Sequence, residues 1–182
     1  MDFFETILKR HSVRAYLSKP VEEKKLKKIM GAGLHSASAH HRQPYKVFVV
    51  KEKKLRQGIV RANHPINFWL KEAPVIMVIC LAGGKKEDKK YPLIDAGIML
   101  ANIMLAATAL GLGSCACGAF KAEKVKKILK LSINLKPIIC LPVGYPRNKR
   151  KRMIDLSKDY EKLSRALLHY KDKKIDDIFI PR

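Results

Sequence analysis

Arg10-His11-Ser12-Val13-Arg14 and, further along, Ser38-Ala39-His40-His41-Arg42-Gln43-Pro44-Tyr45 are the stretches whose reading decides the fold of this chain. Asp2 to Lys9 reads as a short helix that runs straight into the first of them. Arg10 and Arg14 are fork-shaped donors whose geometry suits a phosphate, and Ser12 adds a hydroxyl and a backbone N–H. A phosphorylated ligand is the guest that this chemistry implies. Two arginines near an N-terminus equally suit plain surface ion pairs. The second stretch reads as a polar loop.

Outward from these stretches, Val21 to Leu34 places Leu26, Ile29, Met30 and Leu34 at helical spacing beneath a lysine-rich face. Tyr45 to Val50 reads as a strand, Leu55 to Val60 as a helix and Ile66 to Leu70 as a short helical turn. Pro74 to Leu81, rich in Val and Ile, reads as a fully buried strand. The Gly83-Gly84 loop with its lysines follows as a solvated connection. A long helix over Leu93 to Leu110 comes next, then a short strand near Ser114 to Cys117. A helix through Val125, Ile128 and Leu129 and a strand at Ile138 to Val143 complete the series. Helix-rich blocks interleaved with non-alternating strands predict an α+β fold rather than a regular βαβ array.

Both opening stretches, in this order, resemble the nitroreductase family of FMN-dependent oxidoreductases. Members begin with an Arg-(Arg/His)-Ser-x-Arg turn and carry a Pro-Ser-x-x-Asn-x-Gln-Pro-Trp loop after their second helix. Leu110 to Gly113 with Gly118-Ala119-Phe120, and Pro142-Val143-Gly144-Tyr145-Pro146 followed by a basic cluster, fit the same pattern. Ala37, His41 and Tyr45 stand where the family has proline, asparagine and tryptophan.

The resemblance implies a central, mostly antiparallel sheet flanked by helices, in one FMN-binding domain over residues 1–182. It also implies an interlocked homodimer, with 147–182 as a C-terminal segment that wraps the partner. Arg10, Ser12 and Arg14, with His11 at the variable position, then grip the FMN phosphate and ribityl chain. Ser38, His41 and Gln43 line the ring and ribityl. Cys117, Gly118 and Ala119 present backbone N–H groups to the flavin edge, and Lys151 and Arg152 complete the phosphate clamp. The implied activity is ping-pong hydride transfer from NAD(P)H to FMN and on to a nitroaromatic, quinone or similar acceptor.

The residues themselves contain no convincing catalytic triad, carboxylate pair or nucleophile elbow, so no catalytic side chain is assigned. That suits a cofactor that carries its own redox chemistry. The 182 residues, with 47% hydrophobic and 30% charged, suit one globular domain. A formal net charge of +22 invites a second reading, a basic nucleic-acid-binding protein. The lysines recur along many elements instead of forming one basic arm, which argues for solvated faces. A flavin-binding redox protein without turnover is a third reading.

Cys80, Cys115, Cys117 and Cys140 sit in apolar surroundings and read as core thiols, and the spacing of Cys115 and Cys117 is too short for a zinc ribbon. His35, His40 and His41 have no carboxylate between Glu23 and Glu52 to complete a set, so no metal is expected. Free thiols and the lack of a secretory-type apolar start predict a cytoplasmic protein without membrane attachment. The uncharged run from Ala96 to Phe120 is long enough to span a bilayer, yet Asn102, Thr108, Ser114 and the Gly111-Leu112-Gly113 break read as a buried central helix and a strand. Gly111 to Ala116 matches a dinucleotide fingerprint in spacing only, because a helix and not a strand precedes it.

Overall fold

The computed structural model describes residues 2–83 and 91–147. Helix α1 (Phe3–Lys9) starts where the Asp2 carboxylate accepts the Glu5 N–H at 2.9 Å, and ends at Arg10, whose backbone turns extended. Helix α2 (Glu23–Leu34) buries Leu26, Ile29 and Gly33, the stripe that the sequence periodicity predicts. Strand β1 (Tyr45–Val50) leads to α3 (Lys53–Ala62), and a 3-10 segment (Pro65–Glu72) leads to β2 (Val75–Ala82). Then follow α4 (Tyr91–Ala109), the two-residue strand β3 (Gly113–Ser114), α5 (Ala122–Ile128) and β4 (Leu135–Gly144).

The four strands form one sheet in the order β1-β2-β4-β3, and every pairing is antiparallel. β2 lies in the middle, and Val75 to Cys80 are all buried because both faces of the sheet are covered. On one face Ile76, Val78, Cys80 and Cys140 pack with Ile59, Trp69, Leu70 and Val125, on the α3 and α5 side. On the other, Met77, Ile79 and Leu141 pack with Leu26, Ile29, Met99 and Ile103 of α2 and α4. A register shift between Ile79 and Cys80 lets β4 pass from one set of partners to the next. The α+β expectation holds.

Residues 12–17 lie against the far end of this sheet. Ser12 bridges Ser114 in parallel, and Tyr16 bridges Pro146 in the antiparallel sense. Val13 N–H donates to Ser114 O at 3.0 Å, and Leu17 N–H donates to Tyr145 O at 2.9 Å. The approach is close enough to require glycine: a Cβ on Gly113 would sit 2.5 Å from Val13 Cγ2.

Three details differ from the sequence reading. The strand expected through Cys117 stops at Ser114, and Cys117 instead makes a separate bridge to Cys140. β4 begins at Leu135, three residues earlier than Ile138, because it extends to pair with Ala82. The expected buried helix is buried on one side only. α4 is long and apolar enough to cross a membrane by length and composition. It covers the sheet and α2 with Ala96, Met99, Ile103 and Ala107, while Leu93, Ile94 and Ile98 face outward. Beyond Arg147, the expected C-terminal segment, and the lysines of 84–90, lie outside the described residues.

Candidate functional site

The backbone after α1 leads from Arg10 past β3, which it meets where Ser12 bridges Ser114. Val13 and Tyr16 are buried, while Arg10, Ser12 and Arg14 are partly exposed. The buried Tyr16 hydroxyl donates to Val13 O at 2.6 Å, and burial drives its pKa upward. Outside the turn, Glu72 accepts the Tyr16 N–H at 3.1 Å and pairs with the Arg147 guanidinium at 2.7 Å. Arg147 closes the loop by donating through Nε to Tyr16 O at 3.2 Å and through its backbone N–H to Ala15 O at 3.0 Å. The turn is therefore held from behind by a carboxylate and a cation that carry backbone, not ligand.

Arg14 stacks its guanidinium 5.9 Å from the Trp69 ring centroid. The buried thiols of Cys115 and Cys117 titrate as a pair: their mutual hydrogen bond, then the charge of Arg14, the Ser12 hydroxyl and the charge of Arg10, draw Cys115 down against burial, while the same hydrogen bond and burial push Cys117 up. The two guanidiniums and the serine hydroxyl thus favour negative charge beside the turn. His11 does not join them: it is exposed and its Nδ1 lies 2.8 Å from Lys9 O.

The second stretch is a 3-10 turn (Ala39–His41) in which His40, His41 and Gln43 all have positive φ, at 50°, 53° and 46°. Non-glycine residues hold that conformation only where neighbours over-determine it. Here Gln43 N–H donates to Ser38 Oγ at 3.1 Å, Gln43 Nε2 donates to Leu34 O at 2.6 Å, and Ala39 N–H donates to the buried Asp95 carboxylate at 3.0 Å. The structure brings Ser38 and Gln43 together, while the His41 side chain is exposed. Tyr45 follows with its hydroxyl buried and without a hydrogen-bond partner among the described residues; burial, then Asp95, raise its pKa.

The third stretch pairs Cys117 with Cys140 through two reciprocal backbone hydrogen bonds of 2.9 Å. Gly118 and Ala119 then emerge to solvent. Ala119 O accepts from His64 N–H at 2.8 Å, and this fixes the loop on the segment after α3. Lys151 and Arg152 lie outside the described residues. Among the described residues no three His, Cys, Asp or Glu side chains gather as metal ligands.

Against known proteins, the sequence model of the Nitroreductase family matches residues 7–67 and 57–145, which contain all three stretches. The chain belongs to the nitroreductase family. A nitroreductase family protein of Clostridium novyi has the same fold with a TM-score of 0.77 and 30% identity, over 81% of this chain and 87% of the other. A protein of Methanothermobacter thermautotrophicus, provisionally named an NADH dehydrogenase/NAD(P)H nitroreductase, is 29% identical over 150 residues, covering 80% of this chain and 78% of its own. The Bacillus subtilis protein named FMN reductase (NADPH) is 26% identical over 163 residues, covering 79% and 66%.

In this family member, sequence reasoning missed the residues that support the turn from elsewhere. Glu72, Trp69 and Arg147 stand far along the chain from Arg14 and carry no motif. Asp95 did leave a signal: it is the one carboxylate in an otherwise apolar helix, and such a charge is kept inside only by a partner.

Proposed function

We infer that this nitroreductase family member is an FMN-dependent NAD(P)H oxidoreductase that works as a homodimer. The observation that carries the reading is the turn of Arg10, Ser12 and Arg14, all partly exposed and held against β3 by the bridge of Ser12 to Ser114. That donor set fits a terminal phosphate: two forked cations and a hydroxyl, with the backbone behind them tied by Glu72 and Arg147. Lys151 and Arg152 are assigned to the same phosphate on the family pattern. When bound, FMN supplies two-electron transfer from NAD(P)H to a nitroaromatic, quinone or similar acceptor in a ping-pong cycle.

The protein's part is binding and orientation. Ser38, His41 and Gln43 are assigned to the ring and ribityl. The left-handed backbone of His41 and Gln43, in a loop tied to Asp95 through the Ala39 N–H, holds one geometry so that little is lost on binding. Gly118 and Ala119 are exposed backbone donors for the ring edge, with Cys117 anchoring them to β4. No side chain is required to hold a proton that the flavin cannot exchange with solvent.

The dimer reading draws on apolar surface. Phe4, Leu8, Leu93 and Ile94 are 74%, 85%, 55% and 46% exposed on α1 and α4, which pack together. A second copy covers such a face, and segment 147–182 is assigned as the part that wraps it. The test is direct. Heat-released cofactor should chromatograph as FMN, and the yellow protein should bleach on mixing with NADH or NADPH and recover its colour on adding a quinone. FAD, or a colourless protein after reconstitution, overturns the reading.

A further inference from the structure

We propose that Asp95 and Asn102 of α4 are positioning residues for the flavin-ring loop, holding the 36–39 segment taut and setting affinity for the ring separately from affinity for the phosphate. Only the ligand half rests on the FMN reading; the hold on the loop does not. About two helical turns separate the two side chains, so both lie on one face of α4 with Met99 between them. Helix α2 ends against this face: a Cβ on Gly33 would sit 3.0 Å from Ile103 Cδ1 and 3.5 Å from Met99 Cγ. From there the chain runs back along α4. Asn102 Nδ2 donates to Ser36 Oγ at 2.8 Å, and the Asp95 carboxylate accepts the Ala39 N–H at 3.0 Å. Ser36 Oγ in turn donates to Ala32 O at 3.2 Å, which joins the first tie to the last turn of α2.

The two spans match. Two turns of helix measure about 11 Å along the axis, and the step from Ser36 to Ala39 reaches about 10 Å when extended. Ser38 is extended, with φ −150° and ψ 153°. The segment therefore has no slack between its ties, and it delivers Ala39 to the left-handed turn in one position. Ser38 arrives with it, and its Oγ accepts the Gln43 N–H at 3.1 Å to close the loop. Asp95 is buried in an otherwise apolar helix, a costly place for a carboxylate unless a donor meets it. In return, a charged acceptor bonds the Ala39 N–H more strongly than a neutral one would. The turn of Arg10, Ser12 and Arg14 is held by other residues, Ser114, Glu72 and Arg147. The two halves of the proposed cofactor site thus have different supports.

The experiment takes full-length protein freed of cofactor and two probes that divide FMN: riboflavin, which lacks the phosphate, and inorganic phosphate, which lacks the ring. Asp95→Ala should weaken riboflavin binding about tenfold in a fluorescence titration and leave the thermal shift given by inorganic phosphate unchanged. Asn102→Ala should weaken it several-fold. Asp95→Asn keeps an acceptor oxygen at the same reach and should bind riboflavin better than Asp95→Ala. In hydrogen exchange, the Ala39 and Gln43 amides should open about tenfold faster in Asp95→Ala, while those of Val13 and Leu17 stay protected. Ala39→Pro breaks the same bond from the other side. Proline suits the first position of a helical turn and the extended Ser38 before it, so only the N–H is lost. Both variants break one bond, so combining them should weaken riboflavin no further than the worse of the two. Losses that multiply overturn the tie. So does exchange that quickens equally at Val13 and Leu17, which is general loosening of the fold. Riboflavin and phosphate weakened alike overturn the separate control of the ring. A wild type that binds inorganic phosphate but neither riboflavin nor FMN removes the FMN reading, and selective opening of Ala39 and Gln43 then still upholds the hold on the loop.

Discussion

Arg10 and Lys53 carry the same charge, yet only Arg10 stands at the turn after α1, while Lys53 opens α3. A charge-assisted phosphate bond contributes about 1.5–3 kcal/mol, so Arg10→Ala should weaken FMN binding roughly ten- to a hundredfold, whereas Lys53→Ala should leave it within about twofold. Flavin fluorescence titration measures both, and equal losses would mean diffuse attraction by a basic protein. Arg10, Ser12 and Arg14 were legible in the sequence because guanidinium spacing is a local property. The three left-handed residues of the 38–43 loop were not, since His40, His41 and Gln43 hold positive φ only through contacts with Leu34 and Asp95.

At the scale of elements, periodicity located α2 and α4, and the Val- and Ile-rich run located β2. Periodicity says less about α4's outer side, because a helix apolar all round gives no contrast between its faces. The structure supplies the contrast: Met99 and Ile103 are buried in the chain's own core, Ile94 and Ile98 are not. Ile94→Glu should therefore leave the fold of one subunit intact and disrupt the proposed dimer, at about 1.5–3 kcal/mol for each apolar side chain left uncovered or charge-opposed. Sedimentation velocity with a circular dichroism spectrum checks it. A dimer of unchanged affinity would put the interface on another face. The short strand β3 was harder to read, because two residues make no pattern and its pairing with Gly144 and Val143 is wholly tertiary.

For the whole molecule, the net charge of +22 is the property most visible in the sequence and least needed by the fold. Helices α2, α3 and α5 carry part of it on their outer faces while the inner stripes build the core. Such a field accelerates encounter with anions and is screened within about 8 Å at physiological salt. Reduction by the anionic NAD(P)H should slow several-fold between low and high salt in stopped flow, and reoxidation by a neutral quinone should barely change. Equal salt dependence of both half-reactions would remove electrostatic steering from the account.

The N-terminal strand also fixes when, during synthesis, the site can exist. Ser12 and Val13 emerge from the ribosome about a hundred residues before their partner Ser114, and Leu17 and Ala15 wait for Tyr145 and Arg147. At roughly 5–20 residues per second, the two arginines spend on the order of ten seconds without the backbone that orients them. The turn can therefore take its final shape only once Arg147 has emerged, and a nascent chain arrested within α4 carries Arg10, Ser12 and Arg14 yet has nothing to hold them in place.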